Sequence, residues 1–434
     1  MNTYEEALKW IHSRLRFGMK PGLQRMNALL KKLHHPEEKV KAVHIGGTNG
    51  KGSTLTYMRA ILHEAGYDVG SFTSPYIETF NERISVNGQP IGDLEILNLV
   101  KMIKPIVEEV EKEGEWIPTE FEIITAMCFY YFANVQKVDI LLLEVGLGGR
   151  LDSTNVVVPE LSIITSIGLD HTQILGNSLK EIAEEKAGII KPGVPIITCV
   201  KQQSALEVIR ERSLERKASL FSLKEDFFIK DYYPNDSGET FSYQSSSLSI
   251  ENLSISMHGE HQVENASLAI KSIEWLVNYS GFQISENQIR AGLAAAYWPV
   301  RMEILSYSPM VLVDGAHNPE GISALRETLL RKFSQKHISV LFAALADKEV
   351  SPMIEDLKKV TDRIVLTTFD FPRAPSLEQL SQIAEEQHTG YSLYWKEYLE
   401  GKISEMGEDD LLVITGSLYF LSEVKPLVVE LLEK

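Results

Sequence analysis

The chain has 434 residues, and its 43 Lys and Arg against 60 Asp and Glu leave a formal net charge of −17. That length calls for two domains, and the acidic balance argues against nucleic-acid or anionic-membrane partners, which need basic surfaces. An acidic start (Met1 to Glu6), an uncharged apolar stretch of only Ile123 to Val135, and two cysteines in apolar surroundings (Cys128, Cys199) suggest no signal peptide, no membrane span, no disulfide framework and a cytoplasmic location.

The first 35 or so residues read as two amphipathic helices with a break at Gly18 to Gly22. An apolar strand, Val40 to Ile45, then runs into Gly46-Gly47-Thr48-Asn49-Gly50-Lys51-Gly52-Ser53-Thr54, and an amphipathic helix, Leu55 to Ala65, follows. Strand, glycine-rich loop and helix place backbone N–H groups, a helix N-terminus and the Lys51 ammonium around a phosphate chain. A hydroxyl at Ser53 or Thr54 could reach a phosphate or Mg²⁺. The loop departs from the common P-loop: Ile45 holds the first-glycine position and Gly52 follows the lysine.

Helical patterns at Leu94 to Glu113, Glu122 to Ala133 and Leu179 to Ile190 alternate with apolar strands at Val138 to Val145, Leu161 to Ile167 and Val194 to Val200. That alternation indicates a mostly parallel sheet covered on both faces. Glu144 ends one strand before Gly146-Leu147-Gly148-Gly149-Arg150-Leu151-Asp152-Ser153-Thr154-Asn155, where an α/β protein places a metal ligand. Gly168-Leu169-Asp170-His171 repeats the pattern at the next strand end. A histidine alone there is an unusual Mg²⁺ ligand. Lys186, in Glu184-Glu185-Lys186-Ala187-Gly188, reads on its own as a helix-end cation favoured by the helix dipole.

Residues 216–258 hold short runs between turn residues and suggest a small antiparallel sheet attached to the main one. A helix follows from about His261 to Tyr279. A boundary is expected at Tyr297-Trp298-Pro299-Val300, dividing a domain of residues 1–296, a hinge of 297–300 and a smaller Rossmann-like domain of 301–434. The latter is read from strands at Met310 to Val313, Ile338 to Leu345, Arg363 to Thr368 and Leu411 to Thr415. Its helices are expected at Gly321 to Phe333, Pro352 to Val360, Leu377 to Glu386 and Leu418 to Leu432. Asp314-Gly315-Ala316-His317-Asn318-Pro319 at a strand's C-terminal end suggests ligand contact, although a helix N-cap followed by proline explains Asn318-Pro319 equally well.

Together these motifs, with Phe72-Thr73-Ser74-Pro75 and Asn81-Glu82-Arg83, resemble the Mur ligase superfamily of ATP-dependent amide-bond ligases over nearly the whole chain. Within it they look like the folate branch, the folylpolyglutamate and dihydrofolate synthases. The resemblance implies that Asn49, Gly50, Lys51, Gly52 and Ser53 hold ATP, with Asn265, Arg301 and Asp314 also in contact with it. It implies that Ser74, Glu144 and His171 bind Mg²⁺, and that Lys186 is carbamylated and serves a second Mg²⁺. Glu120, Phe121, Glu122, Ile123, Leu151, Asp152 and Ser153 resemble pterin contacts; His317 and Ser417 would lie near the incoming glutamate. Lys51, His171, Lys186 and Arg301 would be the catalytic set.

The implied reaction adds L-glutamate to the γ-carboxylate of a reduced folate through an acyl phosphate. Whether dihydrofolate is also made from dihydropteroate stays open. A monomer whose domains close about residues 297–300 is expected. Other readings are a cell-wall Mur ligase, disfavoured because the chain starts directly with the ATPase domain, and a nucleotide-dependent switch. A dinucleotide oxidoreductase is disfavoured by the lysine inside the glycine loop.

Overall fold

Thr3 begins the first helix by accepting a hydrogen bond from the Glu6 amide, and the same device recurs along the chain at Thr119, Ser178, Ser285 and Ser376. In this computed structural model the described residues are 1–14, 22–113 and 117–432. Apart from Gly22, the expected break at Gly18 to Gly22 lies outside them.

Two compact units divide the chain. The first comprises Met1–Lys230, Ser242–Leu253 and Glu264–Ala296; the second comprises Asp231–Phe241, Ser254–Val263 and Tyr297–Lys434. Tyr297 opens the long segment of the second unit, which also takes in two short upstream segments.

The strands of the first unit are β1 (Ala42–Gly46), β2 (Val69–Phe72), β3 (Ile84–Val86), β4 (Gln89–Pro90), β5 (Ile140–Glu144), β6 (Leu161–Ile164), β7 (Ile196–Thr198) and β8 (Leu220–Ser222). They form one sheet in the order β4-β3-β2-β5-β1-β6-β7-β8. From β2 to β8 every pairing is parallel, and β3 and β4 add an antiparallel edge. Its helices are α1 (Tyr4–His12), α2 (Gln24–Lys32), α3 (Lys51–Glu64), α4 (Asp93–Lys112), α5 (Glu120–Asn134), α6 (Thr172–Leu175), α7 (Leu179–Lys186) and α8 (Gln203–Glu215), then α9 (Glu260–Tyr279, whose residues up to Val263 belong to the second unit) and α10 (Glu286–Ala295).

The phosphate-loop strand β1 lies between β5 and β6, with Ile45 opposite Glu144 and Gly46 opposite Ile164. Three strand ends therefore open side by side. This is where an open α/β sheet receives its ligand. Helix α3 is buried through its first two turns rather than amphipathic, and further along α10 approaches it closely: a Cβ at Gly292 would stand 2.5 Å from the Ile61 Cα. A salt bridge between Arg25 and Glu122, 2.8 Å long and buried on both sides, ties α2 to α5.

Strands β9 (Phe227–Asn235), β10 (Gly238–Ser245) and β11 (Ser249–Ile255) make the expected small antiparallel sheet, in the order β11-β10-β9. Within the same stretch, β8 instead joins the main sheet in parallel.

In the second unit, β12 (Glu303–Tyr307), β13 (Met310–Asp314), β14 (His337–Phe342), β15 (Ile364–Thr367), β16 (Gly390–Ser392) and β17 (Asp410–Thr415) form a sheet in the order β12-β13-β17-β14-β15-β16. Only β12 runs antiparallel to its neighbour. Helices α11 (Pro319–Lys332), α12 (Val350–Leu357), α13 (Leu377–Glu386), α14 (Trp395–Glu405) and α15 (Leu418–Leu432) accompany it.

The Lys332 ammonium at the end of α11 gathers the unit's upstream segments. It donates to the Asn235 and Gly238 carbonyls at 2.9 and 2.6 Å, pairs with Glu239 at 3.1 Å and donates to His258 Nδ1 at 2.6 Å. Among the described residues no helix is long and apolar enough to cross a membrane.

Candidate active site

The turn after β1 is held by its neighbour β6. Gly47 takes φ +142°, and a Cβ there would come within 1.9 Å of Thr165 Oγ1. Thr48 N donates to Ser166 O at 2.8 Å, and Asn49 N donates to Ser166 Oγ at 3.0 Å. Thr165 Oγ1 and Ser166 Oγ donate back to Asn49 O at 2.6 and 3.0 Å. Gly50, at φ +88°, caps α3, and a Cβ on it would meet Asn265 Oδ1 at 2.3 Å. The loop backbone is thus fixed before any ligand arrives, and Asn265 of α9 stands against it.

Three charged side chains converge on this turn. Lys51 Nζ donates to Gly47 O and Thr48 O at 3.2 and 3.1 Å and lies 4.0 Å from Glu144 Oε1. Glu144 Oε2 accepts from Ser74 N at 3.3 Å. Lys186, buried at the end of α7, donates to Gly47 O at 2.9 Å. Burial, assisted by the charge of Lys51, pulls the Lys186 ammonium down to about 7; Asp170 and Asp152 oppose the fall. Lys186 does end α7, as the bare sequence suggests, but it is buried there and its charge is disfavoured. His171 adopts φ +50° at the start of α6, with its amide on Asp170 Oδ1 at 2.8 Å.

The loop after β5 is anchored from beneath. Asp152 accepts from the amides of Leu147 and Thr154 at 2.8 and 3.0 Å and from the Thr154 hydroxyl. Because that hydroxyl donates to Asp152, the fully buried His44 must donate to it through Nε2, at 2.8 Å. Leu151 is half-buried and Ser153 buried beside this anchor.

The other proposed pterin contacts divide. Glu120 is buried near His12 (3.4 Å) and Arg83 (3.9 Å), and Phe121 packs on Phe72 with ring centroids 5.8 Å apart. Glu122 instead pairs with Arg25, and Ile123 lies in the hydrophobic core, so neither is presented with Glu120 and Phe121.

In the second unit, Asp314 Oδ2 accepts from Met302 N and Oδ1 from Ala316 N, both at 2.9 Å. Burial raises this carboxyl above its ordinary value, while Arg301 counteracts the rise. His317 Nδ1 lies 2.8 Å from Gly315 O, so that nitrogen carries the proton. Ser417 is buried, and its hydroxyl has no hydrogen-bond partner. Asn318 caps α11 by accepting from Gly321 N at 2.8 Å, followed by Pro319, which satisfies the structural explanation for that pair.

Asp170, Thr165 and Ser166 were not singled out in the sequence, although Asp170 sits inside the Gly168-to-His171 motif. Only the β1–β6 pairing shows that Thr165 and Ser166 hold the phosphate loop.

Comparison with known proteins bears on what this arrangement does. Residues 45–273 match the Mur ligase middle domain and residues 300–418 the Mur ligase glutamate ligase domain. The dihydrofolate synthase/folylpolyglutamate synthase of Bacillus subtilis (strain 168) is 47% identical over 423 residues, 98% of each chain. The folylpolyglutamate synthase of Mycobacterium tuberculosis, solved with ADP and AMPPCP, superposes with a TM-score of 0.89 at 30% identity, covering 98% of this chain and 99% of that one. A folylpolyglutamate synthase solved with AMPPCP and folate gives 0.86 at 33% identity, covering 98% of each.

Proposed function

The chain belongs to the Mur ligase family, and from that premise we propose how its residues divide the work of its reaction, the ATP-dependent ligation of glutamate to folates by a folylpolyglutamate synthase/dihydrofolate synthase. The observation that carries the scheme is the meeting of Lys51, Glu144 and Lys186 at the turn of Gly47.

Asn49, Gly50, Lys51, Gly52 and Ser53 hold the ATP phosphates, and Asn265, Arg301 and Asp314 complete the nucleotide's contacts. Ser74, Glu144 and His171 would hold Mg²⁺: Glu144 brings a buried carboxylate 4.0 Å from Lys51 and accepts from the Ser74 amide, while the His171 imidazole is the one donor of the three that is unusual for this ion. Mg²⁺ held there would neutralise phosphate charge. Lys186 is the group to be carbamylated. An amine titrating near 7 supplies the neutral nucleophile that attacks CO₂, forming an N–C bond and losing a proton. The resulting carbamate is an anion able to hold a second Mg²⁺.

A carboxylate is a poor acyl donor. The folate γ-carboxylate oxygen attacks the γ-phosphorus of ATP, ADP leaves, and an acyl phosphate forms. The glutamate amine attacks its carbonyl carbon, loses a proton, and phosphate departs. Positioning and charge neutralisation by Lys51 and Arg301 provide most of the protein's contribution. His317, its tautomer set by Gly315 O, and the buried hydroxyl of Ser417 receive the glutamate. Glu120, Phe121 and the Leu151-to-Ser153 turn receive the pterin; the remaining two candidates, Glu122 and Ile123, shape the helix behind them.

We assign ATP binding to residues 1–296 and glutamate ligation to residues 301–434, with closure about 297–300 keeping water from the acyl phosphate. Every group in the scheme comes from one chain, and a monomer is the proposed working form. The buried thiols of Cys128 and Cys199 suit a reducing cytoplasm.

The test is phosphate release from MgATP with L-glutamate, comparing tetrahydrofolate, dihydropteroate and no pterin, with mass detection of product. Turnover with both pterins establishes both activities. Turnover with tetrahydrofolate alone restricts the enzyme to polyglutamylation, and glutamate-independent turnover overturns the scheme.

A further inference from the structure

Outside the nucleotide site, one short turn gathers metal-ligating groups. His35, Glu37 and Glu38 lie in and just before the 3₁₀ turn Pro36–Lys39 that leads into β1, and one donor atom from each lies within 4.8 Å of the others. His35 Nδ1 and Glu37 Oε1 are 2.9 Å apart. That contact is a hydrogen bond, and opening it to about 3.4 Å would seat a tetrahedral ion ~2.1 Å from both atoms.

Glu37 points to a cation independently of this spacing. Its carboxylate is buried, with 8% of the residue exposed, and its Oε2 has no hydrogen-bond partner. His35 is its only ion-pair partner among the described residues, and no Lys or Arg reaches it. A buried carboxylate with an unsatisfied oxygen is costly unless a positive charge meets it. Glu37 Oε1 faces His35, so the Glu37 side chain is aimed into the cluster. Glu38 and His35 are exposed, which leaves that space open to an ion from solvent.

We infer that His35, Glu37 and Glu38 form a binding site for a divalent transition-metal ion, of the Zn²⁺ or Mn²⁺ type. One imidazole nitrogen with two carboxylates suits these ions better than the all-oxygen sets of Mg²⁺ and Ca²⁺. The ion joins the end of the α2 connection to the turn entering β1, and it is separate from Glu144 and His171. None of its ligands belongs to the catalytic scheme.

The test is calorimetric titration of the nucleotide-free enzyme with ZnCl₂ alone, comparing wild type with His35→Asn and Glu38→Gln. Both side chains are exposed, so both variants keep the fold. Each variant should bind one equivalent fewer than wild type, and the Zn²⁺-induced rise in Tm should shrink. Magnesium-dependent glutamate ligation should stay unchanged. Wild-type stoichiometry and affinity in either variant overturns the site; the Zn²⁺ then belongs to the Glu144–His171 group.

Discussion

Lys186 Nζ and Gly47 O are joined by a 2.9 Å hydrogen bond, so a buried amine from α7 rests on the turn that carries the phosphate loop. Gly47 O also accepts from Lys51 at 3.2 Å. Two cations sharing one carbonyl repel each other, and with burial this keeps the Lys186 amine easy to deprotonate. Converting that amine to a carbamate would replace the repulsion with attraction to Lys51.

Carbamylation of Lys186 should therefore follow its titration. At fixed dissolved CO₂, the rate of label incorporation should rise as pH increases through about 7 and level off above it, because only the neutral amine reacts. Trapping with ¹³CO₂ and mass spectrometry reads this out. Lys186→Arg should take up no label and should lose at least about tenfold in kcat, the loss of a charge-stabilising group.

Lys51→Met should leave the fold intact and remove the cation nearest the phosphates. Loss of one preorganised charge of this kind lowers kcat by about 10²–10³. Steady-state kinetics with varied ATP checks it, and near-wild-type turnover would remove Lys51 from the catalytic set.

Gly47→Ala tests the turn itself. The φ of +142° is one that L side chains rarely adopt, and the added Cβ would sit 1.9 Å from Thr165 Oγ1. Backbone strain alone should cost about 1–3 kcal/mol. Urea unfolding should show that loss, with ATP affinity falling alongside it as the loop shifts.

Thr154→Val keeps shape while deleting the hydroxyl between His44 and Asp152. The fully buried His44 Nε2–H would then lack a partner, a loss of about 1–3 kcal/mol. The Leu147-to-Asp152 turn loses one of its anchors, so KM for the pterin substrate should rise more than KM for ATP. Equal rises would make the anchor a general support.

His258 predicts an acid response. Burial and the neighbouring Lys332 hold its imidazole down to about 4, against 6.5 ordinarily. Between those values the unfolded chain binds a proton that the folded chain refuses. Stability from this group therefore falls as pH drops from 6.5 to 4, by up to about 1.4 kcal/mol per pH unit. His258→Gln, which can still accept from Lys332, should flatten the slope of unfolding free energy against pH in that window.

Much of the architecture is readable from residue order because apolar strands and glycine turns announce themselves locally. The loop from Gly46 to Ser53, the strand end at Glu144, and helices α13 and α15 fall where residue order puts them, whereas β6 stops at Ile164, short of the expected Ile167, and His171 caps α6 instead of ending a strand. What escapes is set by distant partners. Gly70 and Ser71 disguise β2, and Gly70 is required because a Cβ there would meet the Phe132 ring at 2.7 Å. Helix α10 is recognisable only once Gly292 is seen against α3. The burial of Lys186 is invisible in Glu-Glu-Lys-Ala-Gly, where a helix-end cation is the simpler reading. Glu122 and Ile123 look like neighbours of Glu120, yet helical geometry turns them toward Arg25 and the core.

The Lys332 cluster carries a consequence for how this protein is made. Asn235, Gly238, Glu239 and His258 leave the ribosome well before Lys332 is translated, yet they belong to the same unit as that lysine. Until α11 emerges, Glu239 and His258 lack their cation. A chain cut at Ala296 would leave these groups without that cation, so the segment should be less stable by itself than within the full chain.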